Sequence, residues 1–197
     1  MKYDPQKHHR RSIRLKGYDY SQEGAYFVTI VAQNRACLFG DVVNGEMQLN
    51  DAGQMLQSQW DALPERFPNI ESDEFVVMPN HFHGILVIAD KIHVGAVSRA
   101  CPVSGQSHVG QPQEIAPTEH DPILGEIVGA WKSIVTDEYI RGVRQLDWQP
   151  FDRKLLQRNY WEHIVRDEQE LNRIREYIIN NPANWDTDEN NPKNAKP

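Results

Sequence analysis

Residues Glu74 to Ala89 (EFVVMPNHFHGILVIA) constrain the fold more than any other stretch of the chain. Two β-prone runs, Phe75 to Met78 and His81 to Ile88, are separated by Pro79-Asn80. The proline has no backbone N–H to give to a ladder, and together the pair favours a kink or turn. The pattern predicts strand, turn, strand. Within the second run His81 and His83 flank Phe82. Alternation along a strand sends both imidazoles to one face and the phenylalanine to the other. Histidine is uncommon in so apolar a neighbourhood unless it has a partner. A pair converging on one point can hold a divalent ion that polarises a phosphoryl oxygen. The competing reading is two ordinary histidines near a strand end.

The other elements follow from period and punctuation. Ala25 to Gln33 (AYFVTIVAQ) is aromatic and β-branched, which predicts a strand. Leu38 to Leu49 reads as two weaker strand pieces broken at Val43-Asn44-Gly45. Asn50 or Asp51 then caps a helix in which Ala52, Leu56, Trp60 and Leu63 recur at helical spacing, ending at Pro64. From Asp90 to Glu119, scattered Gly and Pro with no sustained period predict a long loop or disordered insertion. Asp121 offers an N-cap and Pro122 a first helical residue for a second helix, with Ile127, Trp131, Ile134 and Val135 on one side, reaching about Arg141. Trp148 to Tyr160 is irregular. Asp167 with Glu170 starts a third helix through Leu171, Ile174 and Ile178, closed by Asn181-Pro182. The residues after Trp185 read as a polar, frayed tail.

The chain's 197 residues suit one domain. The resulting division is a basic arm at 1–24, a domain at 25–185 interrupted by an insertion at about 90–119, and a polar tail at 186–197. No stretch approaches the roughly 18 apolar residues of a membrane span, and charges occupy the start where a signal peptide needs apolar residues. A cytoplasmic protein without membrane partners is expected. Cys37 and Cys101 match no metal spacing and carry no functional information. Charge is uneven. Residues 1 to 18 carry +5, so the formal total of −7 leaves −12 for the rest. Arg10, Arg11, Arg14 and Lys16 in that arm suit an anionic partner such as nucleic acid, because phosphate contacts release condensed counterions.

Three further groups could carry chemistry. Tyr177 and Asn181, four apart on the third helix, share a face. A tyrosine can attack a phosphodiester to form a phosphotyrosine when its hydroxyl is activated and the phosphate oxygens are held, and the Asn181 amide could add a metal ligand. The bland alternative is a tyrosine packed beside the apolar stripe. Arg158-Asn159-Tyr160-Trp161-Glu162-His163 with Arg166 mixes aromatics and cations as single-strand binders do. Lys132 and Arg141 mark the solvated face of the second helix, with Lys132 a candidate DNA contact. There is no glycine-rich phosphate loop or G-x-S-x-G elbow, which removes P-loop nucleotide hydrolysis and the common serine hydrolase layout.

Taken in order, Met78-Pro79-Asn80-His81-Phe82-His83-Gly84, Arg158 to Arg166 (RNYWEHIVR) and Tyr177-Ile178-Ile179-Asn180-Asn181-Pro182 resemble the REP-associated tyrosine transposases of the single-tyrosine HUH superfamily. The segments RRSIRLKGYDYSQEGAYFVTI and IVGAWKSIVTDEYIRGV also look like one branch of that family, so the similarity spans nearly the whole chain outside the insertion and tail. The resemblance implies a compact α+β domain with a central antiparallel sheet bearing the histidines and packed helices, one presenting Tyr177. It implies that His81, His83 and Asn181 bind Mg²⁺ or Mn²⁺. It further implies that Tyr177 attacks single-stranded DNA to give a 5′-phosphotyrosine, which the freed 3′-hydroxyl can reverse. The implied partners are single-stranded or hairpin DNA, such as repetitive extragenic palindromes, and the implied state is a monomer associated with the nucleoid. Phe82 stands where relatives have a large aliphatic residue, and Asn181 where they carry a polar residue, often glutamine. The alternatives are a hairpin-binding module that has lost nicking and a metal hydrolase using water. The presence of both histidines and Tyr177 opposes the first. The lack of a third ligand on the histidine strand opposes the second.

Overall fold

The computed structural model describes residues 15, 17–89 and 122–194. Strand β1 (Gly24–Val31) is followed by a hairpin of β2 (Gly40–Val43) and β3 (Glu46–Leu49), helices α1 (Asp51–Asp61) and α2 (Leu63–Arg66), and strands β4 (Ile70–Val77) and β5 (His81–Ile88). Helix α3 (Leu124–Gln145), strand β6 (Trp161–Ile164) and helix α4 (Glu168–Asn180) complete the main elements. The principal sheet has the order β4-β5-β1-β6, antiparallel throughout. This is the α+β class expected from the sequence. Among the described residues, no helix is long and apolar enough to cross a membrane.

The strand alternation sorts the sheet into two faces. Tyr26, Val28 and Ile30 of β1 and Phe82 and Leu86 of β5 are buried on the side covered by α1 and α3. There Phe82 meets Trp60 of α1 at a centroid distance of 4.4 Å and Trp131 of α3 at 5.0 Å. Gly84 makes room for this cluster: a Cβ on it would lie 2.6 Å from Trp60 Cζ2 and 2.7 Å from Phe82 Cε1. The opposite face carries Phe27, Thr29, His81 and His83, and α4 packs there against β4. Phe82 thus points away from the histidines, as a two-residue period requires.

Several element ends differ from the sequence expectation. Asn50 caps α1, its side chain accepting from the Gly53 N–H, a contact of the kind worth about 0.5–2 kcal/mol. Pro64 does not close that helix; it lies in the first turn of α2, where a missing N–H costs nothing. Strand β4 begins at Ile70, not Phe75, and its register with β5 slips between Ser72 and Phe75, a bulge that contains Asp73. Pro79-Asn80 forms the tight turn of the β4–β5 hairpin, closed by the Met78 N–H on the His81 carbonyl. Helix α3 starts at Leu124, its entry held by the Ile123 N–H on the Glu126 carboxylate, and runs to Gln145. Asp167 caps α4 through the Glu170 N–H, as expected. The expected Asp121 cap and the 90–119 insertion lie outside the described residues. The frayed tail is corrected for 186–194. Short 3-10 turns at Pro182–Thr187 and Pro192–Asn194 fold this segment back, burying Asn190 and Asn191.

Candidate active site

Strand β5 places His81 and His83 side by side, with ring centroids 4.6 Å apart and both side chains buried. Asn80 determines which nitrogen of His81 is free. Its amide NH₂ donates to the Arg35 carbonyl at 2.9 Å and to the Asn190 carbonyl at 2.8 Å, so its Oδ1 must accept from His81 Nδ1, 2.9 Å away. The proton therefore resides on Nδ1, leaving the Nε2 lone pair of His81 buried and without a hydrogen-bond partner among the described residues. Asp188 Oδ2 lies 3.7 Å from that Nε2. His83 Nδ1 is 2.8 Å from Thr29 Oγ1, and its Nε2 is 3.3 Å from Tyr177 Oη. Phe27 stacks on the His83 ring and meets Tyr177 edge-on.

Electrostatics keep both imidazoles neutral. Burial pulls His81 down to about 4 against the opposing pull of the Asp188 carboxylate. Burial, then the neighbouring His81, holds His83 well below the usual histidine range. Neutral imidazole is the metal-binding form. Tyr177 is raised, first by desolvation and then by Asp188, so the phenol does not ionise unaided at neutral pH. The Arg35 charge also acts on His81.

The donor set fits a divalent cation. His81, His83 and Asp188 each offer a ligand atom, and these atoms lie within 4.8 Å of one another. The amide of Asn181 acts on both His81 and Tyr177, and its Oδ1 is buried with no hydrogen-bond partner among the described residues. Two imidazoles and a carboxylate converging on one point, with an unsatisfied amide oxygen on a residue that acts on His81, are what such an ion would satisfy.

The remaining sequence candidates are distributed unevenly. Arg158 and Arg166 are exposed on either side of β6. Lys132 differs from the solvated residue expected: its Nζ donates to the carbonyls of Gln157 at 2.5 Å and Arg158 at 3.0 Å, and burial lowers it to about 8. Its ammonium is committed to holding the segment that leads into β6. Tyr139 of α3 is buried, with its hydroxyl donating to the Gln149 carbonyl. Arg10, Arg11, Arg14 and Lys16 lie outside the described residues. Sequence reasoning missed Asp188, Asn190, Thr29 and Arg35. Asn80 stood inside the histidine motif, whereas nothing in the polar run DTDENNPKNAKP distinguished Asp188 from its neighbours.

A cleft of about 350 Å³ opens beside Tyr177 and His83, bounded by Phe27, Asn159, Tyr160 and Trp161. The sheet, the histidine pair on its second strand from the edge and the tyrosine helix across it define a protein with the fold of the tyrosine transposases. The solved REP-associated tyrosine transposase, determined bound to a REP hairpin, superposes with a TM-score of 0.52 and 17% identity over 86% of this chain and 72% of that one. The fold implied by the sequence motifs is therefore the fold observed. The chain belongs to one family with an uncharacterized protein of Haemophilus influenzae (strain ATCC 51907 / DSM 11121 / KW20 / Rd), 41% identical over 189 residues that cover 95% of this chain and 96% of the relative. No family model matches the chain.

Proposed function

We propose that the protein is a DNA strand transferase that cleaves and rejoins single-stranded DNA, at hairpins such as those of repetitive extragenic palindromes, through a 5′-phosphotyrosine at Tyr177. The observation that carries the reading is the Tyr177 hydroxyl at 3.3 Å from His83 Nε2, beside the unpartnered Nε2 of His81 and Oδ1 of Asn181. His81, His83 and Asp188, with Asn181, would hold Mg²⁺ or Mn²⁺. When bound, the ion supplies Lewis-acid polarisation of the phosphate and stabilises the charge that builds on its oxygens. The chain's own residues do the rest. Asn80 and Thr29 orient the two imidazoles. Helix α4 aims the phenol at the phosphorus, which a rigid element does better than a loop. The Tyr177 oxygen bonds phosphorus as the bond to the 3′-oxygen breaks, and the net proton transfer is from the phenol to that departing oxygen. Because one phosphodiester replaces another, the freed 3′-hydroxyl can reverse the step. Arg158, Arg166 and the basic arm with Arg10, Arg11, Arg14 and Lys16 would hold the flanking phosphates.

Asp188 supplies the carboxylate that the histidine strand lacks, which gives a metal hydrolase some footing. A denaturing gel with labelled hairpin DNA and Mn²⁺ separates the readings. A protein–DNA adduct supports the transferase. Cut DNA without an adduct indicates hydrolysis, and bound but uncut DNA indicates a binding module.

A further inference from the structure

Trp161 is the first residue of β6, the edge strand of the sheet, and pairs in register with Thr29 of β1. Residues directly opposite in a ladder project to the same face, so the indole stands on the histidine face. It is 58% exposed and Tyr177 is 48% exposed, and both line the same cleft. None of the described rings stacks on Trp161. A single exposed aromatic needs no explanation. A bare indole beside a half-exposed phenol, in a cleft near the small end of the roughly 300–1,000 Å³ range of ligand sites, is a different matter.

We propose that Trp161 is the stacking platform for one unpaired nucleobase next to the phosphate that Tyr177 attacks, and so a specificity-determining residue for single-stranded over paired DNA. The proposal rests on the reading of Tyr177 as the nucleophile. Every base has a π face, so stacking is tolerant of sequence but demands that the base leave its helix. The amide of Asn159, exposed at the rim of the same cleft, presents a donor and an acceptor to the edge of the stacked base. Lys132 holds the approach to this platform by binding the carbonyls of Gln157 and Arg158, so the segment before Trp161 is pinned rather than loose.

The test uses the full chain with Tyr177→Phe, which separates binding from cleavage, and two probes: a short oligothymidylate and a sugar–phosphate chain of the same length without bases. In that background Trp161→Ala should weaken oligothymidylate binding roughly 5- to 150-fold, the range for removal of one stacked base, and leave the base-free probe unchanged. Trp161→Phe should retain most of the affinity. Oligothymidylate should quench tryptophan emission, and the quench should vanish in Trp161→Phe. Equal oligothymidylate affinity with Trp161 and with Trp161→Ala, or an equal drop for both probes, overturns the proposal. If the Trp161 effect is present while Tyr177 forms no adduct with DNA, the nucleophile reading fails and the stacking site stands.

Discussion

Tyr177 Oη lies 3.3 Å from Nε2 of His83 although 94 positions separate the two residues. This contact joins a helix presented late in the chain to the histidine strand. It distinguishes Tyr177 from the other tyrosines. Tyr139 is buried with its hydroxyl committed to a backbone carbonyl, and Tyr160 lines the same cleft from the segment that precedes β6. Peptide mapping of a trapped adduct should therefore find DNA on Tyr177, and Tyr177→Phe should reduce adduct to background. Attachment at Tyr160 or Tyr139 would reject the assignment.

Metal affinity should follow the ligand geometry. Removing both imidazoles (His81→Ala with His83→Ala) should abolish Mn²⁺ binding in calorimetry and cleavage with it. Asn80→Ala leaves both rings in place but removes the acceptor that keeps the proton on His81 Nδ1. Removal of such an outer partner costs about 10–100-fold in affinity. Asp188→Asn should weaken Mn²⁺ by a similar factor, and wild-type affinity in that variant would remove Asp188 from the ligand set.

Gly84→Ala should destabilise the protein by about 1–3 kcal/mol, the usual cost of overpacking a filled core. The added Cβ meets Trp60 and Phe82, both fully buried, so neither can swing aside. Urea unfolding monitored by fluorescence gives the difference, and a neutral result would mean that the α1–α3 core yields more readily than its packing suggests.

The bulge residue Asp73 receives two hydrogen bonds from Arg175 of α4, Nε at 2.8 Å and Nη2 at 2.5 Å. Through this fork the strand holds helix α4, which carries Tyr177. The Arg175 guanidinium keeps the Asp73 carboxyl below its ordinary 3.8. A carboxyl depressed in the fold contributes stability that is complete above its unfolded value and disappears as pH falls through the folded one. Asp73→Asn should therefore lower the urea midpoint at pH 7, and its gap from wild type should close as the pH drops below 3.8. A pH-independent gap would assign the effect to packing alone. Because both side chains are partly exposed, the difference should also shrink with added salt.

Deleting residues 1–16 should weaken DNA binding and flatten its salt dependence, by roughly 0.7–0.9 in log–log slope for each phosphate the arm no longer neutralises. Six cations in that arm oppose an otherwise acidic chain. Removing 90–119 should leave hairpin affinity intact. Unchanged affinity and slope after the first deletion would make the arm a solvated terminus.

Period and punctuation made most of the longer elements legible from sequence alone, because those signals are local, whereas α2 and the edge strand β6, four residues each, are too short to carry a period of their own. The alternation in HFHGILVI sets which face each side chain takes, and Asn50 and Asp167 cap their helices with atoms three residues from their targets. The histidine pair and Tyr177 stood out as candidates because each lies in a short motif, and the role assigned to Tyr177 came from the family resemblance rather than from its spacing. What the sequence could not contain was the meeting of those motifs. The tight Pro79-Asn80 turn, the bulge at Asp73 and the fork to Arg175 together bring α4 onto the histidine face. Asp188 becomes a candidate ligand only because the 3-10 turns after Pro182 fold a polar tail back against Asn80. Lys132 shows the converse: a cation suited by sequence to phosphate is taken up by two carbonyls that lie 25 and 26 positions away in the chain. Local propensity is written residue by residue, but burial and hydrogen-bond partners depend on which distant segments the fold brings within about 3 Å.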